Sequence, residues 1–294
     1  MSVHSGKFGV VNGVSTVRNW TLEQVSASQA FVASNTRGGT GRRKGVKDWT
    51  GSYSCYGSTP PAMPGELFNF EGYTAPEDDQ WGSDGLTYYG QALVTQVALN
   101  LNFESSEIWN FQTSFGGDGA LARKSDVIAD ATDPRAYSPL DSKIVILDPD
   151  RSVLGSGSLS ASAGEESCIT SAALTLSVPD NTYVNSCTTP WTGRRAGPLD
   201  WTGTLNSQHI DPDDLGFEIG DDVILQLWVD DVNYWEFKWV HIKDFTGLTI
   251  DRETGAILSM GIAIEMNGFV DGLGDGHIKL PGTPGTPWWP ASGS

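Results

Sequence analysis

The chain has 294 residues and a net charge of −18, from 18 Lys and Arg against 36 Asp and Glu; at about 150 residues per domain it is long enough for two hydrophobic cores. Eleven Trp, eleven Phe and eight Tyr exclude an acidic disordered chain, while 35 Gly and 15 Pro favour short strands joined by turns over long helices. No apolar run reaches the ~18 residues of a membrane helix, and the acidic balance argues against ordinary nucleic-acid binding, whose affinity comes from neutralised phosphates.

From the N-terminus, residues 1–11 show no charged stretch followed by an apolar one, so no secretory signal is expected. Val97, Leu99, Leu101 and Phe103 alternate with Ala98, Asn100, Asn102 and Glu104, predicting a half-buried strand. Residues 119–128 are compatible with one short helix. Residues 148–166, rich in Ser, Gly and Ala, have the composition of a linker. Val223 to Val229 is almost continuously apolar, fitting a strand covered on both faces or a subunit contact. Trp235, Phe237 and Trp239 alternate with Glu236 and Lys238, predicting a strand with one aromatic face, and residues 257–266 are again β-like. The chain ends in an extended Pro-Gly-Thr-rich arm, residues 281–294, carrying Trp288 and Trp289 either for an assembly contact or for packing back on its own domain.

The chain repeats itself. Residues 31–53 lie over residues 183–205 without a gap, a shift of 152, and 12 of 23 positions are identical: Val32, Ser34, Thr36, Thr40, Gly41, Arg42, Arg43, Gly45, Asp48, Trp49, Thr50 and Gly51. Average residue usage would give roughly one or two. The likeness continues more weakly, residues 64–70 over 219–225, residues 107–111 over 256–260 and Gly119 over Gly268. The expected organisation is therefore two similar antiparallel β-sandwich or barrel domains, 1–150 and 151–280, each with at most a short helix, followed by the arm at 281–294. The first 150 residues carry −6 and the remainder −12.

Gly41-Arg42-Arg43 and Gly193-Arg194-Arg195 place paired guanidinium groups at equivalent points of an acidic chain. Their planar forks suit carboxylates across a subunit interface, the plainer reading being a solvated loop that balances local acid. Asp48-Trp49-Thr50-Gly51 and Asp200-Trp201-Thr202-Gly203 each open a strand, with Trp49 and Trp201 expected in the cores and Gly51 and Gly203 beside them. Enzyme readings do badly. The acid pairs at 78–79, 213–214, 221–222 and 230–231 read as solvated loop carboxylates, since spacing alone cannot place two of them across a cleft. Residues 271–276 lack a calcium ladder, the three Cys (Cys55, Cys168, Cys187) make no disulfide framework, and the four His are too scattered for zinc. No nucleophile elbow, phosphate loop or zinc-protease helix motif is present. No catalytic residue, cofactor or metal is expected.

At the repeated block the chain resembles the major tail proteins, or tail tube proteins, of long-tailed bacteriophages. The similarity rests on Leu22, Gly41-Arg42-Arg43, Gly45 and Asp48-Trp49-Thr50-Gly51, repeated as Leu174-Thr175-Leu176, Gly193-Arg194-Arg195, Gly197 and Asp200-Trp201-Thr202-Gly203. Phe115-Gly116-Gly117-Asp118-Gly119 is similar to a later segment of that family. Most such proteins carry one tube domain, and this chain carries the block twice. The resemblance implies a structural virion protein that polymerises, after synthesis in the host cytoplasm, into stacked rings forming the tail tube. Six-fold tubes would then be built here from homotrimeric, pseudo-six-fold rings. The implied partners are other copies of the chain, the tape measure, tail terminator and distal tail proteins, and DNA passing without specific binding, with no membrane. An acidic bore repels phosphate and keeps DNA sliding. Readings of other classes are a tandem carbohydrate-binding module, which would use the Trp-rich strands as a stacking platform, and a capsid decoration protein.

Overall fold

The computed structural model describes residues 2–6, 8–12, 14–31, 40–73, 87–102, 109–124, 143–147, 169–184, 191–207, 217–230, 233–246, 260–267 and 278–280. Among these the fold is mainly β, in large antiparallel sheets with no helix. The first strands are β1 (Ser2–Gly6), β2 (Phe8–Val11), β3 (Val14–Phe31), β4 (Gly41–Tyr56), β5 (Leu67–Tyr73), β6 (Thr87–Asn102), β7 (Asn110–Gly117) and β8 (Ala122–Lys124). They are followed by β9 (Lys143–Leu147), β10 (Ile169–Ser177), β11 (Asp180–Tyr183), β12 (Gly193–Ala196), β13 (Asp200–Ser207), β14 (Asp222–Trp228), β15 (Tyr234–Thr246), β16 (Met260–Met266) and β17 (Ile278–Lys279).

Two series of strands follow one plan. The first pairs in the order β3-β4-β7-β6-β5-β2, and β2 pairs back onto β3 to close a barrel. The second pairs in the order β10-β13-β16-β15-β14-β9. Registers match as well as order. Leu22 lies opposite Gly51, and Leu174 opposite Gly203; Gly51 then faces Phe115, as Gly203 faces Ile264. The bulge between Val94 and Gln96 on β6 recurs between Ile242 and Asp244 on β15. Short β8 and β17 flank β6 and β15 respectively.

The turn before each fifth strand repeats atom for atom. Gly65 N donates to Val94 O, Val94 N to Glu66 O and Glu66 N to Met63 O; Gly220, Ile242, Asp221 and Glu218 make the same three bonds. Met63 N donates to Glu66 Oε2 at 2.8 Å, and Glu218 N to Asp221 Oδ2 at 2.7 Å. Gly65 and Gly220 hold φ of 89° and 98°, a conformation open to Gly because it has no Cβ to clash.

One apolar cluster runs through both series. Trp20, Trp49, Trp109, Trp201 and Trp235 are fully buried in it. Phe111 of β7 meets Trp235 of β15 at 5.8 Å between centroids, and Trp235 Nε1 donates to Ser58 O at 2.8 Å, so the two series share a core. Strand β14 is buried on both faces from Val223 to Leu227, as its apolar run requires.

Three expectations change. The helix expected over 119–128 is absent where described: Gly119 takes φ of 89°, and β8 pairs Ala122 to Lys124 with Tyr89 to Thr87. The aromatic face of β15 holds for Trp235 and Phe237, which stack at 6.0 Å. It breaks at Trp239, whose φ of 58° sits where the β14–β15 register slips, so the bulge turns that ring off the face. Glu236, expected on the wet face, is buried and accepts from Gln226 Nε2 at 2.7 Å. Strand β9, before residue 150, pairs with β14 after it, Ile146 lying opposite Leu225. The linker at 148–166, the calcium-like turn at 271–276 and the arm at 281–294 lie outside the described residues.

Candidate functional site

The most elaborate polar constellation lies where the second series meets the first. Strand β6 is long enough to serve both: Leu93 to Thr87 pair with β5, and Gln96 to Asn102 pair on that same side with Ser177 to Ser171 of β10. The ribbon β11–β12 then crosses onto the outside of the first series, where Lys47 and Trp191 form a bridge. Thr192 N donates to Lys47 O at 3.1 Å, and Gly119 N to Thr192 O at 2.9 Å.

Arg194 is the centre of this joint. It is 6 % exposed, and its Nη2 donates to both carboxylate oxygens of Asp48 at 2.7 Å. Its Nη1 meets Asp180, its Nε donates to Gly117 O at 3.0 Å, and its backbone N donates to Asp118 Oδ1 at 2.7 Å. A buried guanidinium is tolerable only with its donors occupied, and here two carboxylates and a carbonyl occupy them. Gly116 makes room: a Cβ there would stand 2.4 Å from Arg194 Cζ. Gly117 does the same on the opposite face, where a Cβ would fall 2.0 Å from the Trp49 ring. Trp49 Nε1 donates to Gly119 O at 3.0 Å, so Gly116-Gly117-Asp118-Gly119 serves the core and the joint together.

The site residues read from sequence separate in space. Arg194 meets carboxylates, but within its own chain, from the first series and from β11. Arg195 is exposed, its guanidinium 5.6 Å from the Tyr183 ring centroid. Arg42 and Arg43 lie opposite Ala30 and Gln29 on β3, the register that Arg194 and Arg195 hold to Thr182 and Asn181. Asp48 takes the ion pair; Asp200, its equivalent, is exposed. Trp49 and Trp201 are buried, and Gly51 and Gly203 admit Phe115 and Leu174, which a Cβ would meet at 2.4 and 2.3 Å. Trp288 and Trp289 lie outside the described residues.

Sequence reasoning missed Asp180, and it marked Gly116 and Asp118 only as part of a family-like segment, without the part they play around Arg194. It also missed the hairpin at Asn12, although Val11-Asn12-Gly13-Val14 carries the Asn-Gly turn signal and Val11 pairs with Val14 across it.

The described acid pairs do structural work. Asp222 accepts from Asn267 Nδ2 at 2.9 Å and lies 3.1 Å from His241 Nδ1; Asp230 receives the backbone N of Asn233 at 2.7 Å. No group of three or more His, Cys, Asp or Glu able to hold a metal occurs among the described residues. Burial pushes the Tyr53 phenol far above its ordinary pKa, and the Glu265 hydrogen bond raises that of exposed Lys243. No described helix is long and apolar enough to cross a membrane. No known family model matches the chain, and no curated protein matches it.

Proposed function

We propose that the chain is a structural virion protein of the tail tube type, polymerising into stacked rings whose bore passes DNA. The reading divides the chain into two tube-like units, the second beginning with β9 rather than after residue 150. The observation that carries it is the edge-to-edge union of two series with one strand order and one register, through β6 and β10. A chain built this way holds one ring contact inside itself and carries the same kinds of edge again at its two ends, the one on β3 covered by β1. Contacts of that head-to-tail kind propagate until they close a ring. Three chains, each bearing −18, would supply six units and an acidic particle over which a phosphate backbone slides. The sugar-binding reading loses ground because five Trp rings are fully buried in the core and unavailable for stacking. Negative-stain imaging of the purified protein tests the proposal. Rings with three-fold and pseudo-six-fold symmetry, or tubes of such rings, are expected; a dispersed monomer at all concentrations and salts would overturn it.

A further inference from the structure

Strand β1 is the one strand of the first series with no counterpart in the second among the described residues. Its place explains why. Ser2, Val3 and His4 lie opposite Gln24, Glu23 and Leu22, on the edge of β3 that faces away from β4. Shifted by 152 residues, that stretch of β3 becomes Leu176, Thr175 and Leu174 of β10, and there the same edge is taken by β6. β1 thus fills on β3 the place that β6 fills on β10.

The opposite end of the chain offers the matching piece. Asp244, Phe245 and Thr246 of β15 lie opposite Ala263, Ile262 and Gly261, as Gln96, Val97 and Ala98 of β6 lie opposite Ser114, Thr113 and Gln112. In β6 the other side of those three residues pairs with Ser177, Leu176 and Thr175. In β15 that side carries no strand among the described residues.

We infer that the joint between successive copies repeats the joint between the two series, with β1 as a self-strand that reserves the edge until a second copy arrives. The inference rests on the tube reading and names its lateral contact. Asp244, Phe245 and Thr246 of one copy replace β1 and lie opposite Val25, Gln24 and Glu23 of the next. Arg42, equivalent to Arg194, then reaches Asp200 of the neighbouring copy, equivalent to Asp48. The second acceptor is Glu265, which stands at the register position of Gly116 in the first series and whose Oε2 accepts from exposed Lys243 in the single chain. Val25, 46 % exposed in the single chain, is covered in the joint, as Ser177 is already half-covered beside β6.

Three experiments on the full chain test this. In a background with Cys168 and Cys187 replaced by Ser, Glu23→Cys with Thr246→Cys is expected to give disulfide-linked oligomers on oxidation. Val3→Cys with Thr246→Cys is the rival pair; efficient linking there would show that β1 stays in place, and would overturn the inference. Arg42→Asp is expected to abolish assembly while leaving the thermal transition of the monomer unchanged, and Asp200→Arg in the same chain to restore it. Wild-type assembly by Arg42→Asp would defeat the joint while leaving the tube reading standing, whereas a wild type that never assembles sinks both. Removing Met1 to Gly6 frees the edge, and roughly ten-fold tighter assembly is expected, because a binding-competent state held at a minor fraction weakens apparent affinity by that fraction. Assembly no tighter than wild type would overturn the reserving role of β1.

Discussion

The two arms of the molecule share a sequence pattern and differ in what they touch. In the first series the outer ends of β3 and β4 run on as one ribbon, bulged between Ser26 and Ser28. At the equivalent place the second series breaks into β10 and β11 on one side and β12 and β13 on the other, around Pro179 and Pro198. The matching residues, Ala27 and Val46, keep the N–H groups that proline lacks, so the first ribbon stays continuous. The break lets β11 and β12 fold across the first series, and Val178 is 5 % exposed there while its counterpart Ser26 is exposed. Burial of an arm is decided by the surface available to it, and the arm's own motif is nearly the same in both places. Arg194 is an interface residue inside one chain; Arg42, with the same neighbours in sequence, sits on β4 opposite Ala30 of β3.

The largest test of this likeness is in the cores. Trp49→Ala and Trp201→Ala should each cost about 3–5 kcal/mol by urea denaturation, the range for emptying a packed aromatic site. Trp49 should stand at the upper end, because its ring also donates to Gly119 O and fills the space over Gly117. Trp201 costing clearly more would mean that the second core carries the greater share of stability. The sharper test is the arginine pair. Arg194→Ala should destabilise the monomer by roughly 2–4 kcal/mol, since it strands Asp48 and Asp180 around a vacated site, their partial exposure keeping the loss below that of a wholly buried pair. Arg42→Ala should change monomer stability by less than about 0.5 kcal/mol. Equal losses would erase the distinction between the arms.

A smaller effect checks that the turns are equivalent. Gly65→Ala and Gly220→Ala each place a Cβ at positive φ, at about 1–2 kcal/mol apiece, and the two losses should agree within measurement. Disagreement would show that the matched hydrogen bonds differ in strength despite their common geometry.

Much of this plan is legible in the sequence, and for physical reasons. The ungapped block at 31–53 and 183–205 survives as matched register because strand pairing admits no slip without turning every side chain to the wrong face. The faint match of residues 64–70 to 219–225 proves to be a turn in which Glu66 and Asp221 cap the same backbone N–H. What could not be read was the meeting of distant parts. Gly116 stood in the sequence only as one residue of the segment Phe115 to Gly119, and the placement of Arg194 over it, 78 residues later in the chain, gives the reason for it. The twin arginines likewise looked alike, since a sequence repeat is blind to which copy finds a partner first. β1 carried no signal of its own, since the Asn-Gly turn at Asn12 joins β2 to β3.

The last contrast lies in the core chemistry of one position. Tyr53 and Leu205 are equivalent, and both are buried. Burial disfavours the phenolate, and nearby Cys55 and Glu66 add to the effect, so the folded-state pKa of Tyr53 lies well above its unfolded value near 10. The sign follows from proton counting. Below the unfolded pKa both states hold the proton and stability does not depend on pH through this group. Above it the unfolded chain releases the proton while the folded chain keeps it, so stability falls as pH rises. Tyr53→Phe removes this dependence and leaves the ring packed against Phe68 and Phe115. Near pH 7 the variant should lie within about 1 kcal/mol of wild type. Between roughly pH 10 and 11 it should lose stability more slowly than wild type, by up to about 1.4 kcal/mol per pH unit, as read from urea midpoints across that range. An unchanged alkaline slope would mean that the phenol ionises in the folded protein, and that the first core is wetter around Tyr53 than the second is around Leu205.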